Sequence, residues 1–184
     1  MSDTPDEDRP QDEAALLARL EALGIDWAYH AHPPLFTVED SRALRGDLPG
    51  LHVKNMFLKE KKGGLWLVTC REDRRIRIRD LEREIGARNT SFGKPELLRE
   101  ALGVSPGAVT PFAAINDAEG RVRVVLDRAV LAAEIVNAHP LHNEATIAVS
   151  PQGLVRFLED TGHTPLTVDF DALEARAAET GAAR

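Results

Sequence analysis

A single lysine interrupts residues 51–59, a stretch that otherwise has the composition of a buried β-strand. Met56 and Leu58 fall on one face of such a strand and Phe57 on the other, so both faces are predicted to be covered. Lys54 shares the face of Met56 and Leu58. A lysine there either extends its amine to the rim of the sheet or places an ammonium group in a partly dry cavity. The second arrangement would make Lys54 a candidate for binding or catalysis.

Two later loops carry residue types that could complete a site with this lysine. Residues 107–111 read Gly-Ala-Val-Thr-Pro, and residues 139–143 read His-Pro-Leu-His-Asn. A glycine lets the backbone approach a ligand closely, and exposed N–H groups on such a loop can hold a carbonyl oxygen or a developing oxyanion. A loop like the first one is more often an ordinary turn, so it supports a functional site only in combination with Lys54.

Other chemistries are poorly supported. The chain has no Gly-x-Ser-x-Gly motif and no Walker or dinucleotide-binding glycine pattern. His139 and His142 could hold a metal, but Pro140 breaks the helix that such a pair needs. We therefore predict no metal and no cofactor. The single cysteine, Cys70, lies in an apolar run, which favours a buried inert thiol over a nucleophile and excludes an internal disulfide.

Composition and charge indicate an ordinary globular protein that acts on a limited target. The chain has 184 residues with 43% hydrophobic and 29% charged residues, and no apolar run approaches the roughly 18 residues of a membrane span. A cytoplasmic location and no membrane partner are expected. The net charge is −7, yet residues 51–100 carry 13 Lys and Arg against 8 Asp and Glu. A local basic surface suits a partner with a few phosphates, although a mixed solvated surface explains the charges equally well.

The periodicity predicts an α+β fold with a mixed sheet and one domain. Residues 1–12 are expected to be a disordered acidic tail, residues 13–170 the domain, and residues 171–184 a frayed helical tail. Lys61 to Gly64 is the predicted turn of a hairpin. The other predicted helices are 13–23, 37–44, 81–87, 96–102, 127–137 and 151–162, and the other predicted strands or extended segments are 25–29, 65–70, 75–79, 112–115, 122–126, 145–149 and 164–170.

Three motifs together resemble the YbaK/prolyl-tRNA-synthetase-associated editing domains, and in particular their free-standing ProX type. These motifs are His-Val-Lys-Asn-Met-Phe-Leu at 52–58, Gly-x-x-x-Pro at 107–111 and His-Pro-Leu-x-Asn at 139–143. The resemblance extends from about Leu16 to Phe170. The last of these motifs and Thr-Gly-His-x-Pro at 161–165 point to the alanine-specific branch.

The resemblance implies a barrel-like mixed sheet flanked by helices and hydrolysis of the ester between an amino acid and the 3′ adenosine of tRNA. A water attacks with help from a substrate ribose hydroxyl. The implied catalytic residues are Lys54, which anchors the terminal nucleotide and helps to place the ester, and Asn55, which helps to fix that geometry. The implied partners are the acceptor end of tRNA(Pro) carrying alanine and, as one to consider, prolyl-tRNA synthetase. The implied substrate-binding residues are Gly107, Ala108, Val109, Thr110, Pro111, His139 and Asn143, with His139 setting the size of the pocket. The candidate tRNA-binding residues are Lys59, Arg74, Arg75, Arg77 and Arg79.

Two alternatives remain open. The chain could be a deacylase for cysteinyl-tRNA(Pro) or another small residue, or a tRNA-end or nucleotide-binding module without catalysis. The presence of Lys54, Asn55 and His139 together favours an enzyme over a binding module, and the His-Pro-Leu segment favours alanine over cysteine.

Overall fold

The structure, a computed structural model, describes residues 12–34 and 48–182. The predicted acidic tail, apart from its last residue, and the predicted helix at 37–44 lie outside these residues. The described helices are α1 (Glu13–Ala22), α2 (Ile78–Ile85), α3 (Pro95–Leu102), α4 (Arg128–Ala132), α5 (Pro151–Asp160) and α6 (Phe170–Ala182). The described strands are β1 (Trp27–Ala31), β2 (Leu51–Glu60), β3 (Leu65–Arg71), β4 (Thr90–Phe92), β5 (Val122–Asp127), β6 (Val136–Ala138), β7 (Ala145–Val149) and β8 (Leu166–Val168).

These strands form one mixed sheet in the order β1-β7-β6-β2-β3-β5-β8, with β4 also paired to β2. The pairs β2–β6, β3–β5 and β5–β8 are parallel, and the others are antiparallel. This arrangement confirms the predicted α+β class with a mixed sheet flanked by helices. It also places β2 in the interior of the sheet, as its apolar composition predicted. In the described part of the chain no helix is long and apolar enough to cross a bilayer.

Local sequence signals explain most of the element boundaries. The side chain of Ser150 accepts a hydrogen bond from the amide of Gly153 and so caps α5, as its position before Pro151 predicted. Gly103 ends α3 with a φ of 66°, a left-handed conformation that glycine adopts without a Cβ clash. The β2–β3 hairpin turns at the predicted position and pairs Lys59 with Leu65.

Three predicted elements differ in the structure. Residues 111–116 form a 3₁₀ helix rather than a strand, because Pro111 occupies its first turn and the Thr110 hydroxyl caps it. The helix after Asp127 ends at Ala132, since residues 136–138 pair with both β2 and β7 as strand β6. The arginine-rich segment is not a strand over 75–79: α2 already begins at Ile78.

The C-terminal helix α6 packs against the rest of the domain. Leu173 of α6 is 8% exposed and belongs to the hydrophobic cluster that includes Leu58, Trp66 and Leu81. A second cluster lies between α1, α5 and the sheet, where the rings of Phe112 and Phe157 meet edge to face with centroids 5.3 Å apart. A third cluster lies beneath α3. Helices therefore pack on the sheet through all three clusters.

We expect Phe157→Ala to lower the free energy of unfolding by about 3–5 kcal/mol, because it leaves a cavity beside Phe112. Phe92→Ala is the matched control. The Phe92 side chain is 65% exposed, so its removal should change stability by no more than about 0.5 kcal/mol. Urea unfolding followed by circular dichroism measures both values. Equal effects of the two substitutions would contradict this description of the core.

Candidate functional site

Asn55 connects the central strand to the loop at 107–111. The hairpin register places Asn55 directly opposite Thr69 on β3. The hydroxyl of Thr69 donates to Asn55 Oδ1 over 2.7 Å, and Asn55 Nδ2 donates to the carbonyl oxygen of Val109 over 2.9 Å. Thr69 is fully buried. Because the Val109 carbonyl can only accept, Asn55 Nδ2 must face it and Oδ1 must face Thr69, so the amide has one defined orientation and holds the loop to the sheet.

The loop at 107–111 presents little of itself to solvent apart from Gly107. Ala108, Thr110 and Pro111 are buried, and Val109 is half-buried with its carbonyl bonded to Asn55. Gly107 is exposed. Of the five residues assigned to substrate binding here, only Gly107 therefore offers a readily accessible backbone, and the others support it.

The two predicted loops meet at Gly107. A Cβ added to Gly107 would lie 3.5 Å from Nδ2 of Asn143, which brings the loop at 107–111 against the loop at 139–143. Leu141, within the second loop, has a φ of 72°, which is uncommon for a residue other than glycine. Such strain persists only where surrounding contacts fix the backbone, and Leu141 packs against two hydrophobic clusters.

The ring of His139 is held by a backbone carbonyl. Its Nδ1 lies 3.0 Å from the carbonyl oxygen of Ala145, so this nitrogen carries the hydrogen and donates. The ring of His32 is 6.2 Å away between centroids, and His32 Nε2 lies 3.0 Å from the hydroxyl of Thr146. His32 and Thr146 were not predicted. Neither belongs to a local pattern that distinguishes it from an ordinary polar residue.

Lys54 lies apart from this group. The β2–β3 register is continuous, so the side chains of β2 alternate strictly and Lys54 projects from the face opposite Asn55. Its neighbours on that face, Met56 and Leu58, pack in the cluster beneath α2 and α6. The half-buried ammonium donates to the backbone carbonyl of Arg74. The structure thus brings together Asn55, Gly107 and Asn143, but it does not place the Lys54 amine among them.

Arg74 is buried, and its prediction as a tRNA-binding residue is wrong. Its side chain is fully excluded from solvent, because the guanidinium pairs with Asp127 at 2.8 Å, with Glu174 at 3.1 Å and with Asp171. The hydrogen bond to Asp171 is the largest contribution that raises the pKa of Arg74, ahead of the bond to Asp127. The remaining candidates are exposed: Lys59, Arg75, Arg77 and Arg79.

The motif at 161–165 has a structural role. His163 is 4% exposed, and its Nε2 lies 2.9 Å from Oδ2 of Asp117. The Asp117 carboxylate also accepts from the amides of Arg121 and Val122, so the pair ties the end of α5 to the start of β5. The similarity of this motif to the family therefore reflects its role in the fold and is not evidence of contact with a substrate.

Comparisons with known proteins agree with this architecture. The sequence matches the aminoacyl-tRNA editing domain family over residues 32–157. It is 42% identical to prolyl-tRNA synthetase associated domain-containing protein 1 of Bos taurus, covering 86% of this chain and 95% of that one. It is 32% identical to the prolyl-tRNA editing protein ProX of Acetoanaerobium sticklandii, covering 87% and 95%. A crystal structure described as a candidate trans-editing enzyme for prolyl-tRNA synthetase has the same fold, with a TM-score of 0.65 and 21% identity over 86% of this chain and 96% of that one.

The chain belongs to the aminoacyl-tRNA editing domain family. This confirms the family predicted from the motifs at 52–58, 107–111 and 139–143.

Arg74→Met should lower the free energy of unfolding by about 3–5 kcal/mol, since it leaves the buried Asp127 carboxylate without its partner. The control is Arg75→Met, in which an exposed arginine is replaced by the same side chain and stability should change little. Chemical unfolding compares the two variants. A loss below about 1 kcal/mol for Arg74→Met would equal the contribution of a surface ion pair and would contradict the burial of the Arg74–Asp127 pair.

The Cys70 thiol should resist ionisation and alkylation. Burial is the main cause that raises its pKa from 9.0 to about 12. Below pH 9 the thiol is protonated in both the folded and the unfolded chain, and between about pH 9 and 12 only the unfolded chain ionises, so this group's stabilising contribution is lost as the pH rises. Iodoacetamide at about pH 9 should label the native protein slowly and the urea-unfolded protein quickly. Equal labelling rates would show that the thiol is accessible.

Proposed function

We propose that this protein is a deacylase that hydrolyses the 3′ ester of tRNA(Pro) mischarged with alanine. The observation that carries the proposal is family membership, together with similarity across most of the chain to a prolyl-tRNA editing protein. The contact of Asn55 with the Gly107 loop adds support, because it fixes an accessible glycine backbone beside Asn143. In this proposal prolyl-tRNA synthetase is the source of the mischarged tRNA.

The reaction needs positioning more than a protein nucleophile. An aminoacyl ester is already activated, so orientation of a water and stabilisation of the developing oxyanion can supply the rate. We assign the oxyanion contact to the backbone N–H of Gly107. Asn55 is a positioning residue in this scheme, because it acts through Val109. Its orientation depends in turn on Thr69.

Lys54 is assigned to the substrate phosphate. Its ammonium has three donors, of which the Arg74 carbonyl occupies one, and its four-carbon stem can rotate. The other donors suit the phosphate of the terminal nucleotide. The placement of Lys54 on the face opposite Asn55 favours this role over direct contact with the ester.

Discrimination against proline requires a pocket that excludes it by size. Favourable contacts with a few methylene groups separate two substrates by only about 1–3 kcal/mol. A wall that proline cannot pass discriminates further, as in the editing half of a double sieve. His139 suits such a wall, because the hydrogen bond to Ala145 limits the rotation of its ring.

The test is release of radiolabelled alanine from Ala-tRNA(Pro), with Pro-tRNA(Pro) and Cys-tRNA(Pro) in parallel. We expect fast release of alanine, little release of proline, and a rate for Lys54→Ala that is lower by at least about tenfold, since loss of a charge-assisted hydrogen bond to the substrate phosphate costs about 1.5–3 kcal/mol. The matched control is Lys62→Ala, at an exposed position in the hairpin turn, which should retain full activity.

Each other outcome has a defined meaning. No hydrolysis of any of the three substrates would reject the deacylase assignment and favour a binding module. Preferential release of cysteine would retain the editing activity and reject the alanine pocket. Equal loss in Lys54→Ala and Lys62→Ala would reject the specific role of Lys54.

A further inference from the structure

Phe92 lies in a groove that is lined by three lysines and three glutamates. Of the large hydrophobic side chains in the described part of the chain, it is the most exposed, at 65%. It lines a groove of about 770 Å³ together with Lys59, Lys61 and Lys94, all of which are exposed. We refer to this feature as the Phe92 groove. A single exposed aromatic residue is unremarkable in a folded protein, so the argument depends on how the ring is held and on the charges around it.

The backbone that carries Phe92 is fixed to the sheet. Phe92 pairs with Leu58 of β2, and the amide of Gly93 donates to the carbonyl oxygen of Phe57 over 2.9 Å. A Cβ at Gly93 would come within 2.3 Å of the Phe57 ring, so this close approach requires glycine. On the other side of Phe92, the Thr90 hydroxyl donates to Glu82 over 2.8 Å. The fold thus holds an apolar ring in solvent on a rigid strand.

Lys94 has an unfavourable position for a cation. It is the N-cap residue of α3 and makes no side-chain capping hydrogen bond. The N-terminus of a helix carries partial positive charge, so a lysine there is disfavoured and an acidic or hydroxyl residue is preferred. Its positive charge adds to that of Lys59 and Lys61, which creates a locally attractive surface for an anion.

The carboxylates of the groove reduce this positive charge only in part. Glu60 accepts a hydrogen bond from the Trp66 indole over 2.8 Å, and Glu100 pairs with Arg121 at 3.0 Å. Glu96 lies in the first turn of α3, where a negative charge offsets the positive helix end. Only Glu100 is therefore offset by a cation outside the groove, because the indole that bonds Glu60 is neutral, and two carboxylates remain against three lysines.

We propose that the Phe92 groove binds the unpaired nucleotides that precede the terminal nucleotide of the substrate RNA, with one base stacked on Phe92 and the lysines on the phosphates. This combination of an aromatic platform and a basic groove is typical of single-strand binding. Lys59 follows Asn55 by four residues on β2, so the groove begins about 13 Å from Asn55 at about 3.3 Å per residue. That separation suits the same strand of RNA. The proposal rests on the deacylase function proposed above.

The experiment compares Phe92→Ala and Phe92→Trp on two substrates, Ala-tRNA(Pro) and the alanine ester of adenosine alone. On the tRNA we expect Phe92→Ala to raise KM by roughly 5- to 150-fold with little change in kcat, and Phe92→Trp to restore KM. On the adenosine ester, which lacks the preceding nucleotides, neither variant should differ from wild type. Lys94→Gln should lower the slope of log affinity against log salt concentration by about 0.7.

Three results would overturn the proposal: an unchanged KM for Phe92→Ala on the tRNA, equal effects on both substrates, or no restoration by tryptophan. If wild type hydrolyses neither substrate, the deacylase function fails, and binding of an uncharged single-stranded RNA ending in CCA then tests the groove by itself. Weaker binding by Phe92→Ala, with binding of a matched RNA duplex unchanged, supports the groove. Unchanged RNA binding together with lost binding to prolyl-tRNA synthetase would assign the groove to a protein partner instead.

Discussion

The buried ion pair between Arg74 and Asp127 joins two strands and two helices of the domain. Both side chains are fully excluded from solvent, and the Asp127 carboxylate also accepts from the amides of Arg71 and Ala129. The pair therefore fixes the end of β3, the end of β5 and the start of α4. The same guanidinium reaches Glu174 and so docks α6. Desolvating two charges is costly, and the surrounding hydrogen bonds are what make this burial tolerable.

The Arg74–Asp127 pair also determines the surroundings of Lys54, because the Lys54 ammonium donates to the backbone carbonyl of Arg74. On the other face of β2, Asn55 depends on Thr69 in the same way. The two adjacent residues of the motif thus have separate supports, one ionic and one formed by neutral hydrogen bonds. Both supports require the same hairpin register, because a shift by one residue would exchange the two faces.

Local sequence signals predicted the fold class and most elements, and the hairpin turn also implies one contact of the site. The turn at Lys61 to Gly64 fixes the hairpin register, which places Thr69 opposite Asn55. Pro111 after Thr110 was the signal for the 3₁₀ helix, but the apolar residues that follow suit a strand equally well. β6 could not be predicted locally, since its three residues are a strand only because β2 and β7 flank them.

The arginines after β3 show the limit of such prediction. Arg74 and Arg75 are adjacent and chemically identical, and the carboxylates that bury only the first are supplied by β5 and α6. Likewise, the sequence grouped Lys54 with Gly107 and His139 because all three belong to motifs, whereas the structure places Lys54 on the face of β2 opposite Asn55 and the Gly107 loop. Contacts between segments distant in sequence decide both cases.

The pairing of β1 with β7 has a consequence for the order of events during synthesis. Trp27 pairs with Val149, so an early strand completes its hydrogen bonds only with a partner from near the other end of the domain. The β2–β3 hairpin can close as soon as its own residues are available, but β1 must wait until β7 has emerged from the ribosome. Such non-local pairing slows folding and leaves an unpaired strand exposed in the meantime. The nascent chain is therefore most vulnerable to aggregation before β7 is released.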